Sequence, residues 1–248
     1  MKVKKLYTAG DGFCCNHIWP MWSQLLAEIL DCEWVNLSTY GAGNEAIANL
    51  VIDQIGHEQD CTDSLWLIQW TGPRRLDLRI DHVDADNQLI TDISNDPVYY
   101  DNFISSADQK KYWCSSASSL TFVKNYRELL SYEQHIDRSR NHLLSLAYVL
   151  NQKKVNWKYL LTYDAPWLPL EFIDKNQCIL QSMESFRKIS QYKNLDIGEI
   201  QPVSSIHLDF LEKFVLPLCY YDNLKFETIK NKILISDRIQ YDKHVTHM

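Results

Sequence analysis

The run Leu65-Trp66-Leu67-Ile68-Gln69-Trp70 is apolar on both of its alternating faces, the pattern of a strand covered above and below, as the central strand of a parallel sheet is. It closes a series. Val3 to Ala9 reads as a short buried strand ended by Gly10-Asp11-Gly12, and Ile18 to Leu30 then carries apolar residues at helical spacing. Trp34-Val35-Asn36-Leu37 reads as the next strand, Tyr40-Gly41-Ala42-Gly43-Asn44 as its loop, and Ile47, Leu50, Val51 and Ile55 as one face of a second helix. Repetition of strand, loop and helix restricts the chain to the α/β class. The expected architecture is a three-layer α/β/α sandwich around a mostly parallel sheet.

Beyond the third strand the pattern changes. Residues 72–100 hold Pro73, Pro97, many aspartates and an alternating Leu76-Leu78-Ile80 stretch, which predicts a hairpin or lid inserted at about 72–118. From Ser119 to Gln152, apolar residues at 122, 126, 129, 136, 143, 147 and 150 keep helical spacing while Glu133 and Arg140 interrupt it, so one long helix is expected, either whole or broken near Ser139. Trp157 to Tyr163 is a fourth strand, stopped by Pro166 and Pro169, and His207 to Leu218 a last amphipathic helix. The expected domain is 1–220, with 221–248 as a C-terminal appendage of weak pattern.

Composition excludes several classes. The 248 residues, 46% of them hydrophobic, suffice for one large core. A formal charge of −7 with basic residues scattered along the chain lacks the footprint of a nucleic-acid binder. No run of the length and apolarity of a membrane span occurs, and the basic start reaches Asp11 before a signal-peptide apolar region could form. The cysteines at 14, 15, 32, 61, 114, 178 and 219 include no CxxC and give no zinc or disulfide framework. The expectation is a protein made in a reducing cytosol, with no cofactor, metal, nucleic-acid partner or membrane.

Four of the seven glycines (Gly10, Gly12, Gly41, Gly43) stand in the first two strand-to-helix loops. In an open α/β sheet those loops lie together at the carboxyl ends of the strands, where ligands bind. Two readings stay open: the glycines cradle a ligand, or they shape tight turns.

Gly10-Asp11-Gly12 after the first strand, Gly41-Ala42-Gly43-Asn44 after the second, and a histidine near the start of the last helix resemble three blocks of the SGNH (GDSL-type) hydrolases. The run Ile18-Trp19-Pro20-Met21-Trp22 resembles the Trp-Pro-containing helix that follows the first block in SGNH-like proteins of tailed bacteriophages, a resemblance that implies flavodoxin-like winding of the sheet. The resemblance spans roughly residues 3–75 and 195–218. It implies synthesis in a host cytosol, with incorporation into the virion as a further destination. The departures are chemical. Gly12 stands where the family has its nucleophilic serine, and Gly198-Glu199-Ile200-Gln201-Pro202 aligns with the Asp-x-His block so that Gln201 takes the place of the general base. Gln69-Trp70-Thr71-Gly72-Pro73-Arg74 lacks the Gly-x-Asn-Asp signature. Nucleophile and base are therefore both missing from their family positions.

The residues expected to face a ligand are Asp11, Gly12, Gly41, Asn44, Arg74, Gln201 and His207. Each has a plainer alternative: Asp11 stabilises a turn, Asn44 caps its helix, Arg74 is solvated or pairs with Asp77, and His207 is structural. No catalytic residue is expected on the first reading, a non-catalytic binding or structural component of a phage particle. Its partners would be further copies of itself, other phage structural proteins or a carbohydrate. Trp19, Trp22, Trp66 and Trp70 are candidates to stack on a sugar, and Tyr99, Tyr100, Trp113, Tyr220 and Tyr221 to anchor an interface. The second reading is a carbohydrate or lipid ester hydrolase or acyltransferase that uses Cys14, near a helix start, with His207 as base. A third is an enzyme acting on host or nucleotide metabolites in the same crevice.

Overall fold

Four strands run parallel because each is followed by a segment long enough to cross back over the sheet. They are β1 (Lys5–Ala9), β2 (Glu33–Asn36), β3 (Ser64–Trp70) and a later strand, β7 (Asn156–Leu161), in the order β2-β1-β3-β7. The computed structural model describes residues 2–11, 14, 20–38, 42–75, 77–80, 103–105, 111–114, 128–183, 185–186 and 204–233. Leu6 pairs with Trp34 on one side and Leu65 on the other, and Trp66 with Trp157. Beyond β7, Cys178 makes an isolated parallel bridge to Tyr159.

Helices cover both faces. Helix α1 (Trp22–Leu30) lies on one, and α2 (Asn44–His57) and α3 (Tyr132–Gln152) pack together on the other. The strand period of two sorts the side chains. Leu65 and Leu67 enter the α1 core, while Trp66, Ile68 and Trp70 enter the α2/α3 core. Tyr7 stacks on Trp66 with ring centroids 3.8 Å apart, and Trp70 meets Tyr159 edge-on. Every residue of β3 is buried, as its apolar run requires. Trp22, Trp66 and Trp70 are core residues at 1% exposure or less, with no face left for a sugar.

Three expectations need correction. The long helix does not break at Ser139: it runs unbroken from Tyr132 to Gln152, started by a capping box between Ser131 and Gln134. Arg140, which interrupts the apolar pattern, reaches the carbonyl of Trp167 at 2.7 Å. The helix expected over His207 to Leu218 starts earlier and is not uniform: α4 spans Ser204–Phe210 and passes into a π turn at Leu211–Val215 and a 3-10 turn at Leu216–Leu218. Residues 223–233, read as a tail of weak pattern, form helix α5, which buries Phe226 and Ile229 in the α1 core.

The segment after β3 builds a separate antiparallel sheet of β4 (Asp77–Ile80), β5 (Phe103–Ser105) and β6 (Lys111–Cys114), ordered β4-β6-β5. It departs from a fixed base. The Asp77 carboxylate accepts from the backbone N–H of Gly43 and of Ala46, both at 2.8 Å, and so caps α2 from outside that helix. Gly43 has no side chain for a packing reason, since a Cβ there would lie 2.6 Å from Asp77 Oδ2.

Candidate functional site

The chain reverses direction across the sheet between β1 and β3, and at their carboxyl ends such a switch point opens a crevice. Asp11, two residues past the end of β1, stands there with 0% exposure. Its Oδ2 pairs with Arg75 Nη1 at 2.9 Å and accepts from Thr71 Oγ1 at 3.0 Å, and Thr162 Oγ1, past the end of β7, donates to Oδ1 at 3.5 Å. Three loops thus meet on one carboxylate. Arg75 Nη1 also reaches the carbonyl of Ala42 at 3.2 Å, which ties in the loop that leads to α2.

Asn44 is not the helix cap. Gly43 occupies the N-cap position, and the Asn44 side chain instead clasps Thr71, accepting from its N–H at 3.0 Å and donating to its carbonyl at 3.2 Å. The same amide nitrogen reaches Ser139 Oγ at 3.1 Å. The nominated Arg74 is exposed and lies over the ring of Tyr132, 5.2 Å from its centroid. Its neighbour Arg75 is the arginine that enters the site. Asp77, offered as a partner for Arg74, holds the start of α2.

Cys14 is 1% exposed, and its thiol donates to Gln69 Oε1 at 2.5 Å, an oxygen that also accepts from Trp22 Nε1 at 3.0 Å. Gly10 is small for this reason: a Cβ there would meet Cys14 Sγ at 2.5 Å and Gln69 Cβ at 2.9 Å. His207 is fully buried in α4, among residues of the α1 core. Gly12, Gly41, Glu199, Gln201, Trp19, Tyr99 and Tyr100 lie outside the described residues, as does the side chain of Trp113. Tyr220 is 74% exposed, and Tyr221 packs against Phe226.

A pocket adjoins this network, and the sequence reading missed it. His135, Arg138, Ser139 and His142 fall at i, i+3, i+4 and i+7 of α3, so one polar stripe of the helix faces Asn44 and Glu45 at the start of α2, with Arg75 also lining the space. The space encloses about 220 Å³, its open mouth included. Arg138 Nη2 pairs with Glu45 Oε2 at 2.8 Å, and His142 Nε2 stands 3.6 Å from the same oxygen. His142, and then Arg138, hold the Glu45 carboxyl below its ordinary value against the opposing effect of burial. The signal was present as polar residues at helical spacing, but a search for apolar periodicity passes over it.

Among the described residues, no group of three or more His, Cys, Asp and Glu is placed to hold a metal ion. No described helix is long and apolar enough to cross a membrane. No family profile and no curated protein matches the chain. Among solved structures the chain is similar to an aspartate-to-alanine mutant of esterase AlinE4, at 10% identity over 86% of this chain and 93% of that chain, with a TM-score of 0.40. Likeness of that degree carries no functional argument. The three-layer architecture rests on the strand order and helix placement themselves.

Proposed function

We propose that the chain is an SGNH-like protein that binds rather than hydrolyses, and that it serves as a binding or structural component of a phage particle. One observation carries the reading: at the switch point the carboxylate of Asp11 is held by Arg75, Thr71 and Thr162 as a knot between three loops. A serine-hydrolase site needs a nucleophile, a base and an orienting acid in sequence. Gly12 stands at the nucleophile position of the resemblance, and Asp11 beside it is committed to an ion pair. Cys14, the alternative nucleophile, is held as a thiol donor to a neutral amide, whereas attack requires the thiolate. Placement in a particle follows from the phage-type resemblance of the first block. Exposed Tyr220 supports an assembly role as an interface anchor.

The test has two arms. Turnover of short-chain nitrophenyl esters is expected to be absent. Activity blocked by a fluorophosphonate on a serine would overturn the reading, and activity lost in Cys14→Ala would establish the hydrolase or acyltransferase in its place. Light scattering of the purified chain and mass spectrometry of purified particles form the second arm. Self-association or presence in particles is expected, and a strict monomer absent from particles would sink the structural role.

A further inference from the structure

The polar pocket between α2 and α3 differs from the crevice in one respect: its hydrogen-bond donors exceed its acceptors. Arg75 uses only Nη1 on Asp11 and Ala42, and Arg138 only Nη2 on Glu45. The remaining guanidinium nitrogens of both make no hydrogen bond among the described residues. The two arginine side chains are 22% and 33% exposed, so these donors are partly desolvated while still open to a ligand. His142, at 28% exposure, adds an imidazole beside them. Buried Asn44 and Ser139 fix the floor through their mutual hydrogen bond, so the walls are held by packed helices and not by loose loops.

We propose that this pocket binds the carboxylate group of a small ligand. A planar guanidinium with two free N–H groups matches a carboxylate in a bidentate fork. Charge selects the carboxylate over a phosphate. Arg75 and Arg138 are already balanced by Asp11 and Glu45, one against one. With both guanidinium charges so balanced, a group that bears one negative charge fits better than a group that bears two. Glu45 Oε1 makes no hydrogen bond among the described residues, and it suits a hydroxyl or amine beside the ligand's carboxylate. The space is narrow and open to solvent at its mouth, which suits a carboxylate group and not a whole drug-sized ligand. The proposal does not depend on whether the crevice hydrolyses esters.

The experiment is calorimetric titration of the full chain at low salt with succinate and, separately, with inorganic phosphate. Succinate is expected to bind saturably and more tightly than phosphate. Arg138→Gln is expected to weaken succinate about tenfold or more, as loss of a charge-assisted hydrogen bond does. Arg138→Lys should fall between, since it keeps the charge without the fork. Glu45→Gln should tighten binding, because it removes the competing carboxylate and frees Arg138. Circular dichroism and thermal melts confirm that each variant is folded. Tighter binding of phosphate, no saturable heat with succinate, or unchanged affinity in folded Arg138→Gln would each overturn the assignment. None of these outcomes bears on the ester assay or on particle incorporation.

Discussion

A carboxylate with no solvent exposure is stable only if its charge is answered, and Asp11 has a cation and two hydroxyls within reach. Removing the cation alone leaves the charge where water cannot compensate it. Arg75→Met is expected to lower stability by about 3 kcal/mol, the low end for breaking a buried pair because Thr71 and Thr162 still donate. The double variant Asp11→Asn with Arg75→Met should recover much of that loss. Urea denaturation of the three proteins measures both effects, and equal losses in single and double variants would show that Arg75 acts through packing alone. At the same scale, Gly10 and Gly43 show why a glycine-rich loop need not mean a ligand. Each sits where a side chain of the fold itself, Cys14 or Asp77, fills the space of a Cβ.

Helix α3 carries two faces, an apolar one toward the sheet and a polar one toward α2, and its start depends on Ser131. The Ser131 hydroxyl accepts from the Gln134 N–H at 3.2 Å while the Gln134 side chain accepts from the Ser131 N–H at 2.7 Å. Ser131→Ala is expected to cost about 1 kcal/mol in a thermal or chemical melt, the usual value for an N-cap. A loss within error would mean that tertiary packing alone sets the helix start. The strands were legible in the sequence because burial on both faces leaves little choice of residue, as in Leu65 to Trp70. The capping box of Ser131 and Gln134, and not apolar spacing, sets the helix start, and the helix continues through Ser139 although Glu133 and Arg140 interrupt the apolar pattern. Ser139 is a buried partner of Asn44. Helix α5 escaped notice because Phe226 and Ile229 are interleaved with exposed residues such as Leu224, which is 78% exposed and blurs the apolar stripe. Of the switch-point network, Asp11 and Asn44 are legible from the loops that hold them, whereas the arginine that meets Asp11 is Arg75 and not Arg74, a choice that nothing local in a loop with adjacent arginines distinguishes.

At the scale of the molecule, α2 and α3 are joined by a shared core and by Glu45, whose carboxyl is held below its ordinary value by His142 and Arg138. A carboxyl with a depressed folded value adds stability that is present above the unfolded value, about 4.3 for glutamate. That contribution is lost as pH falls through the lower folded value. The stability difference between wild type and Glu45→Gln is therefore expected to be present at neutral pH and to shrink toward zero as pH is taken below about 4. Denaturant midpoints measured across that range test it, and a difference independent of pH would show that Glu45 contributes no titrating charge. The antiparallel sheet enters this frame between two posts, since Arg75 is pinned to Asp11 and Asp77 to the first turn of α2. A graft cut just past Asp77 would begin from an anchored stem, so different strands could be spliced there while the parallel sheet kept its alignment. Diversification of whatever surface those strands present is in this way uncoupled from the integrity of the layer beneath.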